Sequence, residues 1–242
     1  FFFKQKPAYE IPKRDWSSDV CSSDLPNVVP VEGRDFVAAA DARPRPGLRV
    51  AYCPDIARIG VDPEIDRVCR EAALRLRDEG CIVEEVDLDL SHARKTFIRL
   101  RAQFVLNGSL DMLDKIDRLG PNYAGNIRLG LAQSPRDVAE GERGGARLLV
   151  ELAEFFARFD RLLTPCTPVP PFPVEQNYPE AIAGKRMETY IDWAAPAFIL
   201  SLSSLPVMCV PAGLDRAGLP VGMQVVGPRW NEEGVLSLAS AI

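Results

Sequence analysis

The sequence predicts an α/β fold, with helices packed on a central sheet, from two observations. A strand–helix–strand pattern lies between residues 48 and 86 and favours parallel strands joined by a right-handed crossover. Two apolar runs, Pro206–Val210 and Met223–Val226, flank a turn-rich segment, Pro211–Gly222, and neither contains a charge. Such runs are typical of strands buried on both faces of a sheet. We therefore predict that they form a hairpin in the core of the domain.

The strand–helix–strand unit has recognisable ends. Its strands are predicted at Leu48–Cys53 and Cys81–Val86, which are both largely apolar. Between them, Asp62 can cap a helix that has proline at its first position, and apolar residues recur at helical spacing to Glu79. Gly80 follows, where glycine favours the end of a helix. Many α/β proteins contain this unit, so it predicts fold and not function.

The middle of the chain is predicted to be mostly helical. Ser91–Asp117 and Asp137–Phe159 have helical periodicity, although three glycines lower the helix propensity of the second segment. A short strand is expected within Phe159–Pro165. The loop Cys166–Lys185 contains five prolines, and a loop of this length in a compact domain usually has a function or is mobile. Thr189–Leu200 is predicted to form a further helix.

Composition narrows the class of protein. The formal net charge is −5 with the signs interspersed, which argues against binding to nucleic acid or to a membrane surface through bulk charge. No apolar run reaches the roughly 18 residues of a membrane span. The five cysteines after residue 25 include no C-x-x-C pair, so they indicate buried thiols in a reducing, cytoplasmic compartment and not a disulfide or zinc framework.

The N-terminal segment Phe1–Leu25 has a residue pattern that points to a non-biological origin. Asp15–Leu25 resembles a short-read sequencing adapter translated in frame, and Lys4–Ile11 resembles the companion flow-cell sequence with one base changed. We therefore predict that Phe1–Leu25 is not native and that the domain is Pro26–Ile242. A genuine polar N-terminal arm is the alternative, and source DNA with other codons would support it.

Two motifs carry a resemblance to a known family. F-D-x-L-L-T-P occupies Phe159–Pro165, and L-P-x-x-x-V-P-x-G is followed by G-L-P-V-G-x-Q-x-V-G within Leu205–Gly227. In this order they resemble the amidase signature family. The resemblance implies a mixed, largely parallel central sheet flanked by helices, of which this chain is the C-terminal portion. Ser237–Ile242 is expected to stop in the middle of a helix, so the C-terminus is expected to be cut as well.

The resemblance implies hydrolysis of a carboxylic amide to an acid plus ammonia or an amine. The family uses a serine nucleophile, a second serine on a cis peptide, a lysine, and a glycine-rich loop whose N–H groups stabilise the oxyanion. This sequence contains no such loop, and Ser203-Ser204 has no glycine beside it. We therefore expect the Ser-Ser-Lys residues to lie upstream and this fragment to be inactive alone. No metal or organic cofactor is implied.

The resemblance also suggests which residues bind substrate. Family members carry an arginine before an L-G pair at the position of Arg128, and an acidic residue near Asp192-Trp193 contacts the amide in one branch. Arg128, Asp192 and Trp193 are therefore predicted to bind substrate, and Cys166–Lys185 to form a pocket wall. Surface ion pairs and a loop without ligand contact are the alternatives. The expected partner is a small-molecule amide, with no nucleic acid or membrane, and a homodimer is left open.

Three other functions fit parts of the sequence. The chain could belong to the A subunit of a tRNA-dependent amidotransferase, although the spacing from Asp192 to Pro206 differs from that branch. It could be a complete, non-catalytic α/β binding module, which would then fold as a stable monomer. A cysteine hydrolase would need Cys166 and the single histidine, His92, although no glycine turn or helix N-terminus activates the cysteine.

Overall fold

Five strands form the central sheet of the structure, a computed structural model that describes residues 33–242. The predicted adapter-derived segment, Phe1–Leu25, lies outside the described residues. A second sheet contains only two short strands. The strands are β1 Arg49–Tyr52, β2 Ile82–Glu85, β3 Arg161–Pro165, β4 Ala181–Ile182, β5 Lys185–Arg186, β6 Val207–Leu214 and β7 Pro220–Val226.

The central sheet has the strand order β2-β1-β3-β7-β6. β1 pairs in parallel with both β2 and β3, whereas β7 is antiparallel to both β3 and β6. It follows that β7 alone runs against the other four strands. The predicted α/β class, with a mixed and largely parallel sheet, is therefore confirmed.

Helices cover the sheet on both faces. They are α1 Phe36–Asp41, α2 Pro63–Arg75, α3 His92–Asn107, α4 Pro121–Leu131, α5 Pro135–Phe156, α6 Ala195–Ser201 and α7 Glu232–Ala239, with 3-10 turns at Leu110–Arg118 and Asp192–Ala194. The last helix ends at Ala239, and the N–H groups of the three residues after it still donate to carbonyls of that helix. None of the described helices is both long and apolar enough to cross a membrane.

Several predicted helices differ from the structure. The helix predicted over Ser91–Asp117 ends at Asn107 and is followed by a 3-10 turn, and the one predicted over Thr189–Leu200 begins as an α-helix only at Ala195. α2 ends at Arg75, four residues early, and a series of turns leads to Gly80, whose φ is +82°. α5 continues through its glycines because two of them face α3. A Cβ on Gly144 would lie 2.0 Å from Thr96 Oγ1, and one on Gly141 would lie 3.2 Å from Leu100 Cδ2. The glycines therefore allow two helices to pack closely.

The core has two layers, one on each face of the sheet, and β3 contributes to both. Leu163 packs with Val50, Leu76 and other residues on the α2 and α7 face. Leu162 packs with residues of α5 and α6 on the opposite face. All five residues of β3 are buried. At its start, Arg161 is buried as well and donates from Nε to the Gly234 carbonyl, 3.0 Å away, which ties β3 to α7.

The hairpin of β6 and β7 carries the longer motif. Its turn contains Gly218 at φ +77°, and a bulge interrupts the pairing between Pro211 and Gly213. Met223–Val226 is buried, as predicted. Burial of Pro206–Val210 was predicted too, and this was wrong for much of the run, because Val207 and Met208 are 38% and 37% exposed. In the described part of the chain, β6 is an edge strand with no neighbour on its outer side.

Close contact between α3 and α4 gives a test of the fold. A Cβ on Gly130 would lie 2.6 Å from the Ala102 carbonyl oxygen, whereas one on Gly125 of the same helix would meet nothing within 4 Å. We expect Gly130→Ala to lower the free energy of unfolding by about 1–3 kcal/mol through overpacking. Gly125→Ala should raise it by about 0.5–1 kcal/mol through helix propensity. Denaturant unfolding of both variants measures this, and equal effects would contradict the described packing.

Candidate functional site

Buried polar groups lie at the carboxyl end of β3, where the proline-rich loop begins. Gln224 of β7 lies opposite Thr164 of β3 and donates from Nε2 to the carbonyls of Pro165 and Pro196, at 3.3 and 3.4 Å. Thr164 is fully buried, and its Oγ1 has no hydrogen-bond partner among the described residues. Ligands of open α/β sheets bind outside the carboxyl ends of the strands. This end is therefore the candidate site.

Trp193 supports the proline-rich loop beside this end of the sheet. Its indole Nε1 donates to the Tyr190 carbonyl at 3.0 Å, which fixes the plane of the ring. Phe172 of the loop packs edge-on against that ring, with the centroids 5.3 Å apart. Trp193 thus contacts the segment that was predicted to form a pocket wall.

Asp192 is bonded to the protein itself. It is 6% exposed, and its Oδ2 accepts the backbone N–H groups of Glu188 and Thr189, each at 2.8 Å. Its Oδ1 lies 3.5 Å from Nη2 of Arg94. The carboxylate therefore closes the turn that leads into Trp193 and joins it to α3.

Tyr190 makes contacts that the sequence did not predict. Its hydroxyl accepts hydrogen bonds from Arg101 of α3, at 3.0 Å, and from Asn126 of α4, at 2.7 Å. One phenol thereby joins two helices to the segment containing Asp192 and Trp193. No motif indicates this role, and only the position of a tyrosine two residues before Asp192 could have suggested it.

Arg128 lies apart from the other two predicted residues. It is on α4, where its Nη2 is 2.6 Å from Oδ1 of Asp117, and the two side chains are 55% and 87% exposed. In the part of the chain that the structure describes, it has no hydrogen bond or ion pair with Asp192 or Trp193. The structure therefore brings Asp192 and Trp193 together and leaves Arg128 on the helix surface.

Ser203 and Ser204 are not arranged for catalysis. Ser203 is buried and donates from Oγ to the Leu200 carbonyl at 2.6 Å. Both serines line a cavity of about 710 Å³ whose walls are otherwise mostly apolar. The cavity lies where β6 begins and β7 ends, so it is at the opposite end of the sheet from the proline-rich loop. Lys185 donates to the Arg58 carbonyl and does not contact either serine.

His92 and Cys166, the two residues that a cysteine hydrolase would need, contact other side chains and not each other. His92 Nε2 lies 3.2 Å from Oε2 of Glu151, which joins α3 to α5. Cys166 Sγ contacts Cys209 Sγ at 2.8 Å. Within residues 33–242, no group of three or more His, Cys, Asp or Glu side chains is arranged to hold a metal ion.

Comparison with known proteins decides the family. The profile described as Amidase matches residues 10–236, which is most of the chain. The chain belongs to the amidase family. The amidase match begins inside Phe1–Leu25, and the adapter-derived origin of that segment stays a prediction.

Curated relatives of this amidase-family chain include the A subunit of glutamyl-tRNA(Gln) amidotransferase from two bacteria. The Maricaulis maris protein is 26% identical over 252 residues, covering 91% of this chain and 48% of the relative. The Myxococcus xanthus protein is 27% identical over 262 residues, with coverages of 93% and 49%. The chain therefore spans about half the length of the curated relatives that it matches.

Solved structures share the amidase-family fold. A bacterial aryl acylamidase of the amidase signature family superimposes with a TM-score of 0.77 at 21% identity, over 86% of this chain and 45% of its own. Another amidase gives a TM-score of 0.72 at 23% identity, over 83% and 46%. At these sequence identities, the structural similarity shows a shared fold only.

The contacts of Asp192 predict that its side chain stabilises the fold, whereas the exposed side chain of Arg128 should contribute little to stability. Asp192→Ala leaves two backbone N–H groups and Arg94 without their buried acceptor, so we expect the free energy of unfolding to fall by about 2–4 kcal/mol. Asp192→Asn should cost less, because an amide oxygen can still accept from the backbone. Arg128→Ala, which breaks an exposed ion pair, should change stability by no more than about 0.5 kcal/mol.

Denaturant unfolding of the three variants measures these differences. A change for Asp192→Ala as small as that for Arg128→Ala would contradict the buried capping role.

Proposed function

We propose that the protein containing this chain hydrolyses a carboxylic amide to an acid plus ammonia or an amine. The observation that carries the proposal is the match of the amidase profile over residues 10–236. Structural likeness to an aryl acylamidase and to a second amidase supports it. Thr164 and Gln224 lie at the carboxyl end of β3, where the proline-rich loop begins. Substrates of α/β proteins bind at this end of the sheet, so we place the substrate there.

The proposed reaction uses a Ser-Ser-Lys mechanism whose residues lie upstream of this chain. A lysine deprotonates a bridging serine, which in turn activates the serine that attacks the amide carbon. Backbone N–H groups of a glycine-rich loop then stabilise the oxyanion. Two observations support an upstream origin: the chain spans about half of its curated relatives, and Ser203 is buried against the Leu200 carbonyl.

In this proposal, the chain supplies walls of the substrate pocket. Trp193 holds the loop through Phe172, and Asp192 positions Trp193 by closing the preceding turn. Arg128 is exposed on α4, where its guanidinium can exchange Asp117 for an anionic group of a substrate. Asp192 and Trp193 thus shape the site, and Arg128 selects among substrates. The five described cysteines are free thiols, which supports a reducing, cytoplasmic location. Their predicted burial holds for Cys53, Cys69 and Cys81 and was wrong for Cys209, which is exposed.

A second candidate is the A subunit of a tRNA-dependent amidotransferase. The curated relatives carry that name, at 24–27% identity, which is the specific observation in its favour. This candidate requires partner subunits, whereas an amidase acts without them. Genes for such subunits beside the source gene, and a stable complex of their products with the complete protein, would favour it over the amidase.

Activity should depend on the upstream region. We expect the 242-residue chain to release no ammonia or amine above background from simple amides, because it lacks nucleophile, base and oxyanion hole; loss of a catalytic triad costs several orders of magnitude. The protein encoded by the same gene extended upstream should turn over at least one amide of a panel that includes aryl acylamides. Enzyme-like turnover by the chain alone would refute the upstream mechanism.

Arg128 should affect the choice of substrate in that extended enzyme. Arg128→Ala is expected to raise KM about tenfold or more for an amide that bears a carboxylate, with little change for a neutral amide, since a charge-assisted hydrogen bond to substrate is lost. Asp117→Asn is the matched control, because it removes the exposed partner and leaves the guanidinium. Equal KM values for Arg128→Ala and the parent on both amides would exclude Arg128 from the pocket.

A further inference from the structure

Two cysteine side chains, from Cys166 and Cys209, contact each other over strand β7 of the central sheet. Cys166 directly follows β3 and Cys209 lies in β6, so the strand β7 separates their backbones. Their Sγ atoms are nevertheless 2.8 Å apart. Cys166 is held there by its own N–H, which donates to the Gly222 carbonyl at 2.9 Å. The contact is therefore built on backbone pairing and not only on the rotamers of two side chains.

Gly222 of β7 makes this contact possible. A Cβ at that position would lie 3.3 Å from Cys209 Sγ and 3.3 Å from Cys166 Cβ. A side chain at this position would therefore make a tight contact with both cysteines and would require them to shift by a few tenths of an ångström. Gly222, the second glycine of the G-L-P-V-G motif, thus has a local role. Because it has no side chain, Cys166 after β3 and Cys209 of β6 can contact each other over β7.

The two thiols differ in access to solvent. Cys209 is exposed on the edge strand, whereas Cys166 is partly buried. Burial raises the pKa of the Cys166 thiol to about 12, and the neighbouring Cys209 contributes to that rise. Cys166 is thus a neutral thiol near pH 7, and a solvent-borne oxidant reaches Cys209 first. Redox-sensing cysteines have a low pKa, are accessible to solvent and often lie beside a resolving cysteine. The accessibility and the neighbouring thiol are the two of these features that the structure shows for Cys209.

We propose that Cys166 and Cys209 are a modification site, at which hydrogen peroxide oxidises Cys209 and Cys166 then closes a reversible disulfide. In the first step, the peroxide O–O bond breaks, an S–O bond forms on Cys209, and one water leaves. In the second, Cys166 sulfur attacks that sulfur, the S–S bond forms as the S–O bond breaks, and a second water leaves with the thiol proton. Two electrons pass from the sulfurs to the peroxide.

The second step requires the backbone to move as well as the two side chains. A disulfide has an S–S length of about 2.0 Å and needs Cα atoms no more than about 7 Å apart. Adjacent strands lie about 4.8 Å apart, so two strands separated by β7 must approach each other before the bond can close. Cys209 is on the edge strand β6, which has no neighbour on its outer side among the described residues, so β6 can supply this movement while Cys166 stays paired with Gly222. Cys69 lies behind them with its Sγ 3.8 Å from the Gly222 carbonyl, but it is fully buried and is not the thiol that solvent reaches.

The test uses the 242-residue chain with Cys21→Ser, which removes the cysteine outside the described residues. The reduced protein is treated with a small excess of hydrogen peroxide, and free thiols are counted after denaturation. We expect the loss of two of the remaining five thiols, recovered by dithiothreitol. Tryptic peptides 162–185 and 187–216 should be joined, two hydrogens lighter than their sum.

Three variants in the same background separate the roles of the thiols. Cys209→Ser should keep all its thiols at the same dose. Cys166→Ala should form no disulfide, and its Cys209 should instead reach sulfinic acid, which dithiothreitol does not reverse. Cys81→Ala, which removes a thiol distant from the pair, should behave like the parent, and circular dichroism checks that each variant is folded.

Three results would overturn the proposal. One is that the parent retains all five thiols at a dose that oxidises Cys209 in Cys166→Ala. Another is a disulfide that joins two chains through Cys209 in place of the two peptides of one chain. The third is a cross-link between Cys209 and Cys69.

Discussion

The structure depends on the burial of β3 between two strands of opposite direction. β1 pairs with it in parallel and β7 pairs with it antiparallel, so the crossover unit and the hairpin meet along this one strand. At its start, Arg161 bonds to α7, and at its end, Gln224 bonds to Pro165 and to α6. Five residues therefore join both core layers, and the loop at the candidate site begins where they end.

This arrangement explains why the sequence predicted the fold better than it predicted the site. Apolar runs and helix caps are local signals, and Leu48–Cys53, Asp62 and Met223–Val226 all gave correct elements. The burial of Val207 and Met208 was predicted wrongly because composition describes a strand, whereas burial depends on the neighbour that the strand has. The glycines of α5 were likewise expected only to weaken the helix, since nothing in the sequence shows that α3 lies against them.

The sequence also could not show which groups the side chains of the candidate site bond to. An aspartate before a tryptophan suggests a ligand contact, but Asp192 accepts two backbone N–H groups of its own turn. Tyr190 carries no motif, yet its hydroxyl links α3 and α4 to that turn. Family resemblance can locate such a segment, but it cannot say which side chains face the protein and which face the substrate. The hydrogen-bond partners show which is which. Asp192 and Trp193 bond to the protein itself, whereas Arg128 is exposed.

The five prolines of the loop after β3 have a consequence for how its position is set. Each proline fixes φ near −65° and removes conformers from the unfolded chain, so ordering this loop costs less entropy than ordering a glycine- or serine-rich loop of the same length. The edge-on pair of rings, Phe172 and Trp193, contributes on the order of 1 kcal/mol. The loop is also held by Pro168, whose carbonyl accepts the Asp62 N–H at 2.8 Å, and by Ile182, which is buried in the core layer of α5 and α6. Separation of the two rings alone is therefore expected to leave the loop anchored near its beginning, at Pro168, and near its end, at Ile182.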